Sequence, residues 1–69
     1  MKTATQTERY EIFVTELDAT ETPMMRVATK AAARRAMRAF LREARGIIGA
    51  SIDRLHLDGS RTCVEYVRR

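Results

Sequence analysis

Six bases, Lys30, Arg34, Arg35, Arg38, Arg42 and Arg45, fall in a short stretch that holds one acid, Glu43. Guanidinium groups offer paired, planar N–H donors that match phosphate or carboxylate and shed their water more readily than an ammonium does. Projected at about 100° per residue, the six lie within an arc of roughly 140° on one flank of a helix. Neighbours of like sign at spacings of three and four cost a few tenths of a kcal/mol each in an isolated helix. Solubility alone would favour mixing acids into such a row, so the row reads as an anion-binding surface. Three other readings compete with it. The run is a solvated face; or the excess of arginine over lysine, eleven to two, reflects a GC-rich genome; or the helix pairs with the acidic stretch nearer the N-terminus.

Other chemistry is sparse. His56 is the only histidine and Cys63 the only cysteine. His56 sits beside a hairpin turn as an exposed strand residue, and Cys63 lies in the apolar run Thr62–Val67, where a thiol serves as a small buried hydrophobe. A thiol and imidazole facing each other across the hairpin would lack a third group and an oxyanion donor, so no catalytic residue is assigned. No zinc spacing is present, and Gly46, Gly49 and Gly59 are too dispersed to cradle a phosphate, so neither metal nor cofactor is expected. With only Tyr10, Phe13, Phe40 and Tyr66 as aromatics, a base-stacking platform for single strands is disfavoured.

The elements that must carry the basic row follow from periodicity. Arg9–Leu17 is rich in aromatic and β-branched residues and reads as a strand, with Tyr10, Ile12 and Val14 on one face and Phe13 and Leu17 on the other. One of these sets escapes the helix and is free to meet a partner. A turn-like stretch, Asp18–Pro23, leads to a short returning strand, Met24–Val27. Thr29 is the N-cap of a helix over Lys30–Arg45, which lacks Gly, Pro and β-branched residues, and Gly46 supplies a left-handed terminator. Ala33, Ala36, Met37, Phe40, Leu41 and Ala44 form the packing stripe. From Ile47 the apolar residues alternate through Ile48, Ala50 and Ile52. They then change phase after Asp53 and Arg54, which suggests a bulge. Asp58-Gly59 predicts a type I′ hairpin into a last strand over Arg61–Val67. No repeat stands out.

Hairpin, helix, hairpin is an α+β pattern: one helix on a three- or four-stranded antiparallel sheet, ββαββ or βαββ. Residues 1–8 form a polar tail and residues 9–69 one domain. A domain of 69 residues buries only about 60% of its unfolded surface. With one cysteine no internal disulfide forms, which leaves a homodimer as the remaining way to enlarge the core. No run reaches the 18 or so apolar residues that span a bilayer, and the N-terminus carries no export segment. A cytoplasmic protein with no membrane partner is expected. The net charge of +4 hides a segregation: Glu8, Glu11, Glu16, Asp18 and Glu21 face only Arg9 in residues 8–21.

The strand YEIFVTEL, the helix opening ATKAAARRAMRAF and the closing SIDRLHLDGSRTCVEYV together resemble the very small βαββ-type accessory proteins of phages and plasmids, among them anti-CRISPR inhibitors. That resemblance implies a non-catalytic protein in a bacterial host cell, seated on a nucleic-acid-processing complex. Many anti-CRISPR proteins are acidic mimics of DNA, and this chain departs from them, so contact would run through the basic helix. The expected partner is an anionic protein surface or nucleoprotein complex. Direct binding to nucleic acid is the second expectation and a structural homo-oligomer the third.

Overall fold

The computed structural model describes residues 9–69, so the polar tail at residues 1–8 lies outside the described residues. Strands β1 (Tyr10–Glu16) and β2 (Glu21–Val27), helix α1 (Lys30–Glu43), and strands β3 (Ile47–Leu55) and β4 (Arg61–Arg68) follow in order. They form an antiparallel sheet in the order β2-β1-β3-β4, with α1 across one face. This is the ββαββ form of the expected α+β fold.

The short returning strand is longer than expected and runs through Pro23. An edge position and a bulge at Met24, which is skipped where Ile12 and Phe13 face Met25 and Pro23, accommodate a residue that cannot donate to a ladder. Thr29 caps α1 as expected, its Oγ1 accepting from the Ala32 N–H at 3.1 Å.

The core is one layer between helix and sheet. Tyr10, Ile12 and Val14 from β1, Ile47, Ala50 and Ile52 from β3, and Ala33 and Met37 from α1 are buried. Val27, Ala36, Phe40, Leu41, Ala44, Val64 and Val67 pack around them. Ala33 presents no bulk and is fully buried, which lets the helix axis lie close to β1 and β3. The helix also reaches β2 but does not run over β4, whose Val64 and Val67 pack at the edge of the core.

The phase of β3 differs from the expected alternation. Ile47, not Ile48, joins the core, because Ile48 is an extra residue opposite Thr15 and Glu16. Farther along, where a bulge was expected in β3 after Asp53, the extra residue belongs to the neighbouring strand: Val64 of β4 is skipped between Glu65 and Cys63.

The second hairpin also departs from a type I′ turn. Asp58 keeps a negative φ and only Gly59, at +92°, is left-handed. The Gly59 N–H donates to the His56 carbonyl at 3.0 Å, and the His56 N–H to the Ser60 carbonyl at 2.9 Å. The loop is thus three residues, with Asp58 Oδ1 accepting from the Ser60 N–H at 2.9 Å. This local bond favours Asp at that place.

The first hairpin closes in the same way. Ala19, at φ +73°, donates to the Glu16 carbonyl, the Glu16 N–H to the Thr20 carbonyl, and the Thr20 N–H to Asp18 Oδ1. Leu17-Asp18-Ala19 and Leu57-Asp58-Gly59 are therefore twin loops. The correspondence continues into the strands at a shift of forty positions: Met24 and Val64 are the skipped residues opposite Ile12 and Ile52. Ile12 and Ile52 face each other across the central ladder. The sheet is two equivalent hairpins about a pseudo-twofold axis through that pair, a repeat that the sequence reading did not find.

Gly49 is required by close approach, not by its φ. A Cβ there would stand 2.6 Å from Tyr66 Oη and 2.9 Å from the Val67 carbonyl oxygen. Tyr66 can swing away, but the carbonyl belongs to the β3–β4 ladder. Gly49→Ala is expected to cost about 1–3 kcal/mol, read from the urea midpoint; an unchanged midpoint would show that the strands part without penalty.

Candidate functional site

All six bases of the basic row are exposed, but they are not equivalent. Arg34 Nε donates to Glu65 Oε1 at 2.9 Å, tying α1 to β4. Arg42 Nη2 lies 3.4 Å from Glu43 Oε2 on the helix surface. Lys30, Arg35 and Arg38 have no acidic partner among the described residues.

Arg45 is corrected in position. The helix ends at Glu43, and Ala44 is extended at ψ 143° with its N–H donating to the Phe40 carbonyl. The chain needs residues 44–46 to turn into β3. Gly46 is left-handed at φ +76°, and its carbonyl accepts from the Leu17 N–H at 3.2 Å, which pins the turn against the first loop. Arg45 therefore leaves the helical row and sits in the bend.

The acids lie apart from this surface. Glu16, Asp18 and Glu21 of the first hairpin make no ion pair with α1 among the described residues. Glu16 Oε2 instead accepts from Thr22 Oγ1 at 2.5 Å. The Thr20 amide, then its hydroxyl, hold the Asp18 carboxyl below the usual range. In the twin loop the Ser60 hydroxyl and amide, with the nearby His56, do the same to Asp58.

The face of the sheet away from α1 is screened by its own charges. Glu11, only 7% exposed, is ion-paired with Arg26, whose Nε lies 3.3 Å from Oε2. Arg61 Nη1 lies 3.0 Å from Oε1, a charge contact off the hydrogen-bonding direction. Arg61 also reaches Asp53 Oδ2 at 3.7 Å and lies 5.5 Å from the centre of the Phe13 ring. Phe13, which points away from the core set as expected, is thereby half-covered. Leu17 is exposed in its loop. The Thr15 hydroxyl on this face is buried and has no hydrogen-bond partner among the described residues.

Cys63, expected in the core, is exposed. Opposite Asp53 in the ladder, it falls on the face away from α1, because the skipped Val64 shifts the phase of β4. His56 is exposed as expected and meets Thr62, its Nε2 lying 2.8 Å from Oγ1, so imidazole and thiol do not pair. Among the described residues no cluster of three or more His, Cys, Asp or Glu is arranged to hold a metal, and no helix is long and apolar enough to cross a membrane.

No family model, curated protein or solved structure matches the chain.

Proposed function

We propose that this is a non-catalytic binding protein that docks the outward face of α1 on an anionic surface of a nucleic-acid-processing complex, as an anti-CRISPR-type inhibitor would. The observation that carries the reading is the unneutralised state of Lys30, Arg35 and Arg38, while Arg26, Arg34 and Arg61 each hold a carboxylate. Pairing of the helix with the acidic hairpin of the same copy has no support among the described residues. That leaves three cations on a rigid helix whose position is fixed by Ala33 and Met37 beneath them. The helix backbone is preorganised, so only the side-chain rotamers of these three must be ordered on binding.

The test is Arg35→Glu combined with Arg38→Glu. Both side chains are exposed and unpaired, so the fold is expected to persist by circular dichroism. Binding to the complex in nuclease-treated bacterial lysate is expected to fall at least about a hundredfold, since rim and core charge reversals cost several kcal/mol. Undiminished binding by the folded double variant would remove α1 from the interface. Direct binding to bare duplex instead predicts a log–log salt slope of about −3 from three phosphate contacts.

A further inference from the structure

The pseudo-twofold relation supplies an internal control for one end of the molecule. A cleft of about 440 Å³ opens beside the second loop, lined by Arg9, Arg54, Leu55, His56, Leu57 and Asp58. The equivalent positions forty residues away are Gly49, Val14, Thr15, Glu16, Leu17 and Asp18. The residues that build the loop, Leu and Asp, are kept at both ends. The three basic or imidazole side chains are not: Gly49, Val14 and Glu16 stand in their places, and the twin loop closes with the same hydrogen bonds without them. Gly49 is set by its close approach to Tyr66 and Val67, so the comparison bears on the other two: loop closure does not explain Arg54 and His56.

The Arg54 and His56 side chains are held in place, beside a backbone that is fixed at Arg9. The Arg9 backbone is tied on both sides, its N–H to the Val27 carbonyl at 2.8 Å and its carbonyl to the Leu55 N–H at 2.7 Å. Arg54 lies 5.8 Å from the centre of the Tyr10 ring, with Nη1 donating to Tyr10 Oη at 3.3 Å. That leaves most of the donors of its guanidinium uncommitted. His56 is fixed through Thr62. Asp58, the one acid among the described residues of the lining, has Oδ1 occupied by the Ser60 amide and hydroxyl.

From this geometry we infer that the cleft binds a phosphomonoester, with Arg54 as donor to the phosphate and His56 at its edge. The cleft falls in the size range of small-molecule sites, larger than a phosphate alone needs, and Leu55 and Leu57 offer apolar contact to whatever carries the phosphate. A nucleotide and the 5′ end of a nucleic-acid strand share this chemistry.

The test is a backbone-amide NMR titration at constant ionic strength with inorganic phosphate, adenosine monophosphate, and one short oligonucleotide with and without a 5′-phosphate. Saturable shifts at residues 9 and 54–58, without matching shifts at residues 17–20, are expected. Arg54→Val and His56→Glu install the residues of the twin end. Each is expected to weaken phosphomonoester binding about tenfold, the scale of one charge-assisted hydrogen bond. Arg54→Val also removes the Tyr10 contact, so His56→Glu, with its fold checked by the same spectra, keeps the test open. The α1 double variant is expected to bind adenosine monophosphate unchanged, which separates this site from the proposed helix interface. Tighter binding of the mononucleotide points to a free nucleotide, and tighter binding of the phosphorylated oligonucleotide points to a strand end. Shifts alike at both loops, shifts confined to α1, or no saturation with any phosphomonoester would overturn the assignment.

Discussion

Met37→Ala is expected to leave much of the population unfolded even without denaturant. Met37 is 1% exposed and belongs to the same core cluster as Ile12 and Ile52, which are fully buried where the two hairpins meet. Truncating a buried Met to Ala costs about 2–5 kcal/mol, the transfer term plus that of the cavity left behind. A core of this size supplies only about 3–5 kcal/mol in all. Among the described residues no second layer stands ready to collapse into the void, since the other face of the sheet carries Glu11, Ser51 and Thr15. Urea unfolding followed by circular dichroism measures the loss. Met37→Leu, which keeps the volume, is expected to cost less than about 1.5 kcal/mol. A Met37→Ala variant as stable as Met37→Leu would mean that α1 is not held by this residue.

The second large effect concerns the opposite face. Arg26→Ala with Arg61→Ala leaves the Glu11 carboxylate, nearly buried, without either of its cations. Breaking a buried ion pair from one side costs about 3–5 kcal/mol, because the remaining charge stays desolvated. The arginines are about half exposed, so their own contribution is discounted for screening by water. Removing them also opens Glu11 to solvent, which places the expected loss at the lower end, about 3 kcal/mol. Adding Glu11→Leu removes the stranded charge and is expected to recover most of that stability. Urea midpoints of the double and triple variants decide the matter. A triple variant no more stable than the double would show that the loss comes from packing, such as that of Arg61 over Phe13, and not from stranding Glu11.

Much of the fold was legible because it rests on local chemistry. The Thr29 cap, the uninterrupted helix formers after it and the alternation in β1 each act within a few residues. What stayed hidden depends on the neighbouring strand. Ile47 and Ile48 are the same residue type, so only pairing with β1 decides which one turns inward. Cys63 sits in an apolar run, yet one skipped residue in β4 sends it outward. The end of α1 is set by where β3 must begin, which removed Arg45 from the helix despite its suitable composition. The other bases of the row were legible as exposed cations, but only the ion pairs distinguish Arg34, which anchors β4, from Arg35 and Arg38. The repeat escaped notice because Ile12/Ile52, Leu17/Leu57, Asp18/Asp58, Thr22/Thr62 and Val27/Val67 are identities scattered among differing residues. The cleft escaped with it, since the significance of Arg54 and His56 appears only beside Val14 and Glu16.

The doubled hairpin bears on the order in which the chain assembles. Each hairpin closes a three-residue loop and can form in microseconds on its own. The β1–β3 ladder joins residues such as Ile12 and Ile52, forty positions apart with α1 between them. The entropy of closing that span is lost before its contacts form. The slow step in folding is therefore expected to be the meeting of the two halves over the helix, as in an association reaction whose partners share one tether.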